Sequence, residues 1–208
     1  MITIPDAIQR ADLIAFAERV RRLDEAAVIR LRTRTDGLVG VWALTGFDVL
    51  VGRAVAGSLG RPDLTCGAAE LRRGLAAADE AGRIDPGYPM DSAWRTALPP
   101  ETGFVHIDDV PAAVLADVAR SGAEVARESA GPLGPPASLL DQAVLEVSSA
   151  TDTAAVPMRC TLALAAMGFA PEAPGEVVRV RATPTWLRID GRFGSVFRRR
   201  GDPVLLLG

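Results

Sequence analysis

The sequence predicts an α+β protein: mainly antiparallel sheet built from interspersed hairpins, with about four helices packed on it. Three observations carry this. Apolar residues recur at helical spacing in several stretches, short runs alternate strictly between apolar and arginine, and the two kinds of segment are interspersed without a regular βαβ rhythm. The chain has 208 residues, 49% of them hydrophobic, enough to bury a core without disulfide or metal staples.

Asp6 to Leu23 reads as an amphipathic helix. Asp6 is placed to cap it, Ile8, Leu13, Phe16, Ala17 and Val20 form its apolar face, and Arg19, Arg21 and Arg22 complement the dipole in its last turns. Val28 to Thr35 alternates as a strand. Asp36-Gly37 then signals a tight hairpin turn, and Leu38 to Leu44 is the returning strand. Phe47 to Ala56 fits a strand better than a helix. Ala68 to Ala81 is a helix, with Thr65 as its cap and Gly82 as its stop.

Asp85 to Thr102, with Pro86, Gly87, Pro89, Pro99 and Pro100, has no periodicity and reads as the longest irregular stretch. Phe104 to Ile107 is a short strand running into Asp108 and Asp109, which are expected to cap a helix from about Val110 to Glu128 with Pro111 in its first turn. Gly131 to Pro136 is the expected boundary between an N-terminal part, 1–130, and a C-terminal part, 137–208. The two parts form one compact unit or two tightly packed subdomains. Beyond the boundary come a short helix near Leu139, a strand Val144–Ser148, a turn at Asp152 and a helix Pro157–Met167. A meander of Val177–Ala182, Leu187–Asp190 and Ser195–Arg199 follows, then the apolar tail Val204–Leu207, expected to dock on its own domain or on a second subunit. Ile29–Thr35 and Val178–Thr185 resemble each other, a weak sign of a duplicated helix–hairpin unit.

The composition excludes whole classes of chemistry. There is no lysine and no asparagine, so all 23 cations are arginine, a bias that points to a GC-rich bacterial genome. Without lysine there is no Schiff base and no phosphate-loop lysine. His106 is the single histidine, too few for a two-histidine zinc site or a facial triad. Cys66 and Cys160 lie far apart and outside any CxxC, so two free thiols, no metal and no cofactor are expected. No secretory signal pattern and no 18-residue apolar run occurs, which leads to a cytoplasmic expectation.

Two groups of side chains stand out. Tyr88, Asp91, Trp94, His106 and Asp108 gather in and after the irregular stretch. A histidine near carboxylates is what general acid–base work requires. The plain alternative is that the aspartates cap a helix and Tyr88 plugs the loop onto the core. The second group is Arg30, Arg32, Arg179, Arg181 and Arg188, strand arginines able to grip an anion in bidentate fashion. Against that, arginine does lysine's ordinary surface work in this chain, and a net charge of −3 argues against a nucleic-acid partner. The leading expectation is a non-catalytic protein acting through a protein partner or through self-association, with homo-oligomers formed. The rival is a small-molecule or anion-binding enzyme using the loop 85–109.

Overall fold

The computed structural model describes residues 1–129 and 135–200. The tail Val204–Leu207 and most of the Gly131–Pro136 segment lie outside the described residues. The chain divides into two compact units, Met1–Glu101 and Thr102–Gly208. The division thus falls at the end of the proline-rich stretch and not at the Gly131–Pro136 segment.

The first unit runs β1 (Ile2–Thr3), α1 (Ala7–Leu23), β2 (Val28–Thr33), β3 (Val39–Leu44), β4 (Leu50–Val55), β5 (Ser58–Leu59), β6 (Asp63–Gly67), α2 (Ala68–Ala76) and β7 (Arg83–Ile84), then one 3-10 turn at Asp91–Ala93. Its main strands are antiparallel in the order β6-β2-β3-β4, and β1 pairs with both β5 and β7. Asp6 caps α1 as the sequence predicts, its carboxylate accepting from the Ile8 and Gln9 amides. Leu13, Phe16, Ala17 and Val20 are buried, and α1 packs against α2, whose Leu71 and Leu75 are also buried. Ile8 corrects the expectation: it is 74% exposed and lies off the apolar face.

The second unit runs β8 (Val105–Pro111), α3 (Ala112–Glu128), α4 (Ala137–Leu140), β9 (Ala143–Ser148), β10 (Thr153–Pro157), α5 (Met158–Ala166), β11 (Val177–Ala182), β12 (Trp186–Gly191) and β13 (Gly194–Arg199). Its main strands are antiparallel in the order β13-β12-β11-β8, and β9 pairs with β10. The expected meander is present. The α3 helix, assigned from sequence to the N-terminal part, packs against α5, which is why the division precedes it.

The two units share one plan with its pieces in opposite order. Each has a long piece, strand–helix–three-strand meander (β1-α1-β2-β3-β4 or β10-α5-β11-β12-β13). Each also has a short piece, strand–helix–strand (β6-α2-β7 or β8-α3-β9). The strand entering the short piece's helix pairs with the first strand of the meander, β6 with β2 and β8 with β11, while β1 pairs with β7 and β9 with β10. β2 and β11, which carry the similar strings, therefore hold equivalent positions in their own units.

Three strands run into their helices without a loop, and none of those helices has a side-chain cap. The reason is visible in the backbone. The first amide of each helix donates to a carbonyl of neighbouring backbone: Ala68 to Ala27, Ala112 to Glu176 and Met158 to Gln142. Hence Thr65 is a strand residue and not a cap, and α2 ends at Ala76, short of Gly82. Hence also Asp108, Asp109 and Pro111 stay in β8, and the helix expected from Val110 begins at Ala112.

The β2–β3 hairpin is present, but its turn is longer than expected. Arg34 and Leu38 close it, the Arg34 amide donating to the Leu38 carbonyl, so that Thr35-Asp36-Gly37 form a three-residue loop. Asp36 accepts from the Leu38 amide, and Gly37 takes φ 81°. A Cβ on Gly37 would meet nothing within 4 Å, so the cost of a side chain there is conformational alone. Gly37→Val should lower the unfolding free energy by roughly 1 kcal/mol in urea denaturation; unchanged stability would mean the turn does not depend on that geometry.

Candidate binding surface

The irregular stretch of the first unit owes its shape to the edge strand beside it. β2 and β6 are flanked by bonds from Thr33 to Pro62 and from Ala68 to Ala27. Leu64 and Cys66 therefore spend their backbone groups on β2, whereas Asp63 and Thr65 turn theirs outward. The loop supplies the missing partners. The Thr65 amide donates to Asp91 Oδ1 at 2.8 Å, and the Met90 amide donates to the Thr65 carbonyl at 2.7 Å. Arg61 pairs with the other oxygen of Asp91. The Thr65 amide, and after it Arg61, hold the Asp91 carboxyl below its usual range. An exposed strand edge is a hazard, and here a loop covers part of it.

Arg30, Asp63, Thr65, Asp91 and Trp94 line a shallow pocket of about 340 Å³. Arg30 donates twice to Asp63, at 2.8 and 2.6 Å, and its guanidinium lies 5.7 Å from the centre of the Trp94 ring. That bidentate bond lowers the Asp63 pKa and raises that of Arg30. Trp94 donates its indole N–H to the Thr96 carbonyl. The loop thus brings Asp91 and Trp94 to one place with Arg30, but not Tyr88. Tyr88 is 88% exposed, which also corrects the alternative in which it plugs the core. The pocket's other residues, Asp63 and Thr65, belong to β6, a strand the sequence reading did not anticipate.

His106 and Asp108 belong to β8 in the second unit. The β8–β11 register slips between Val180 and Arg181, leaving Ile107 as an extra, buried residue. In a regular strand His106 and Asp109 would face opposite ways. The bulge puts them on one side, His106 Nε2 lying 3.0 Å from Asp109 Oδ1, with Arg179 Nε 3.1 Å from the same oxygen. His106, and after it Arg179, lower the Asp109 pKa. Asp108 instead accepts from the Asp109 amide, quieting the outer edge of β8.

Two of the remaining strand arginines are also paired. Arg181 and Arg188 both reach Asp190, which further accepts from the Ser195 hydroxyl, and Arg188 lies over the Phe104 and Phe197 rings. Arg32 is exposed and has no ion pair among the described residues. Four of the five arginines singled out from sequence are therefore already bound to aspartate. Cys66 and Cys160 are buried and unpaired, and burial pushes both thiols up to about 12, far from thiolate at neutral pH. Among the described residues no cluster of three or more His, Cys, Asp or Glu could hold a metal ion, and no helix is long and apolar enough to cross a membrane.

Residues 99–203 match a sequence family described as Domain of unknown function (DUF8185). The chain belongs to that family. Residues 1–96 match a second, described as Domain of unknown function (DUF8010), so the family boundary falls close to the division between the compact units. No curated protein matches the sequence. By structure, this DUF8185 chain is similar to the DNA polymerase sliding clamp of Bacillus subtilis, with a TM-score of 0.58 at 12% identity, covering 100% of this chain and 67% of that one. It is similar to the DNA polymerase beta subunit of Streptococcus pyogenes, with 0.58 at 12%, covering 97% and 65%. It also resembles the Caulobacter crescentus beta sliding clamp, with 0.57 at 15%, covering 98% and 66%. The likeness is one of fold, and the chain spans about two thirds of the length of the clamps it matches.

The Asp91 bond to Thr65 has a pH consequence. A carboxyl whose pKa is lower folded than unfolded adds stability above the unfolded value near 4, and that contribution is lost as the pH falls through the folded value. Asp91→Ala should therefore cost about 1 kcal/mol at neutral pH, the lower end for a charged acceptor at an exposed position. The difference from wild type should shrink in acid. Urea titrations at neutral pH and at about pH 3 check this; a cost that persists undiminished in acid would show that the charge does not matter.

Proposed function

We propose that this protein is a binding scaffold that acts through contacts with proteins, copies of itself included, and not by catalysis. The observation that carries this reading is the sliding-clamp fold along essentially the whole chain. The chemistry of the side chains supports it. Four of the five candidate strand arginines are spent on internal aspartates, and both thiols are buried and protonated. The histidine stands half-exposed on a strand beside Asp109.

The same pairing supports the expectation that nucleic acid is a poor ligand, because a guanidinium held by a carboxylate has to leave it before it can neutralise a phosphate. Sedimentation velocity of the full chain over a wide concentration range is expected to show reversible, concentration-dependent self-association. A mass that stays monomeric throughout, together with an absence of protein cross-links to the chain in cells, would overturn the reading.

A further inference from the structure

The loop that covers β6 also presents a side chain that the first unit does not use. Tyr88, the single tyrosine, is 88% exposed. An aromatic ring fully in water on a mobile loop would be unremarkable, but this loop is pinned on both sides of it. Gly87 takes φ 80°, its amide donating to Asp85 Oδ1 at 3.0 Å, and a Cβ there would meet the Glu70 side chain at 2.9 Å. Pro86 is buried and Pro89 follows the ring, after which Met90 and Asp91 are held by Thr65. The backbone that carries the ring is thus held before any partner arrives, which lowers the entropy lost when it binds.

Beside the ring, and partly walled by the same loop, lies a pocket of about 430 Å³ lined by Leu59, Leu64, Pro86 and Pro89, with Arg61 and Asp85 at its polar edge. Asp85 gives one oxygen to Gly87, and no ion pair neutralises it among the described residues. The pocket therefore offers apolar walls and a carboxylate acceptor. That is the chemistry of a phenol: a ring to bury and a hydroxyl to donate.

The geometry points to a second copy of this chain as the occupant, the Tyr88 ring of each copy seated in the Leu59–Leu64–Pro89 pocket of the other with its hydroxyl donating to Asp85. Knob and hole lie on one patch and share a loop, as a two-fold interface requires, because each copy must then give and receive the same contact. This rests on the reading above that the chain self-associates, and it adds where. The partly covered β6 edge lies beside the patch, so backbone pairing across that edge is not needed for the contact.

The test is sedimentation velocity on three forms of the full chain. Tyr88→Ala removes the knob, and since the ring is exposed its thermal unfolding should match wild type. Leu59→Trp fills the hole and leaves the knob. Each alone should weaken association by about thirtyfold or more, the range for a central aromatic anchor. Mixed, they should associate more tightly than either alone, because one intact knob-and-hole contact is restored. If Leu59→Trp fails to fold, Tyr88→Ala still decides. A Tyr88→Ala protein that associates as wild type does overturns this interface and leaves self-association standing. A wild-type chain that never associates overturns self-association itself, and the interface with it.

Discussion

Each unit hangs on an antiparallel seam between two pieces of chain that are otherwise separate, β6 against β2 and β8 against β11. The seam does two jobs. It joins the strand–helix piece to the meander, and it lies beside the backbone carbonyls, Ala27 and Glu176, that receive the first amides of α2 and α3. Strand pairing and helix initiation are coupled for that reason, and neither helix needs a serine or aspartate cap. An arginine–aspartate pair crosses each seam, Arg30 to Asp63 and Arg179 to Asp109. The side chains with the strongest appearance of a ligand site in sequence are thus placed as cross-strand ties.

What can be read in the sequence follows from where a segment's signal is local. The α1 helix, the β2–β3 hairpin and the β11–β13 meander carry complete patterns within themselves, a cap with a helical stripe or alternation with a turn, and they stand where the patterns place them. β6 does not. Leu64-Thr65-Cys66 follows a proline and runs directly into a helix, so Thr65 imitates a cap while its real partners, β2 and the Met90–Asp91 loop, are distant in sequence. The same imitation affects Asp108 and Asp109. β10, Thr153-Ala154-Ala155-Val156-Pro157, has too little contrast to show alternation. The Gly131–Pro136 composition marks a loop, whereas the division between units depends on which helices pack together.

The surface chemistry follows the same logic. Asp91 and Trp94 are visible as candidates in sequence, but Asp63 and Thr65, their neighbours in the pocket, sit on the unanticipated strand. His106 is drawn to Asp109, not Asp108, by a bulge at Ile107 that no residue type announces. Once these partners are in place, little free charge is left on the candidate residues. The prominent unspent group is an aromatic ring on a pinned loop.

A double-mutant cycle between Arg30 and Asp63 decides whether Arg30 serves as a cross-strand tie or as a ligand-binding group. Arg30→Ala, Asp63→Ala and the double variant are compared by urea unfolding, with phosphate added in a parallel series. A tie requires a coupling energy between several tenths and about 1 kcal/mol and no stabilisation of wild type by phosphate. Zero coupling, together with phosphate stabilising wild type but not Arg30→Ala, would contradict it.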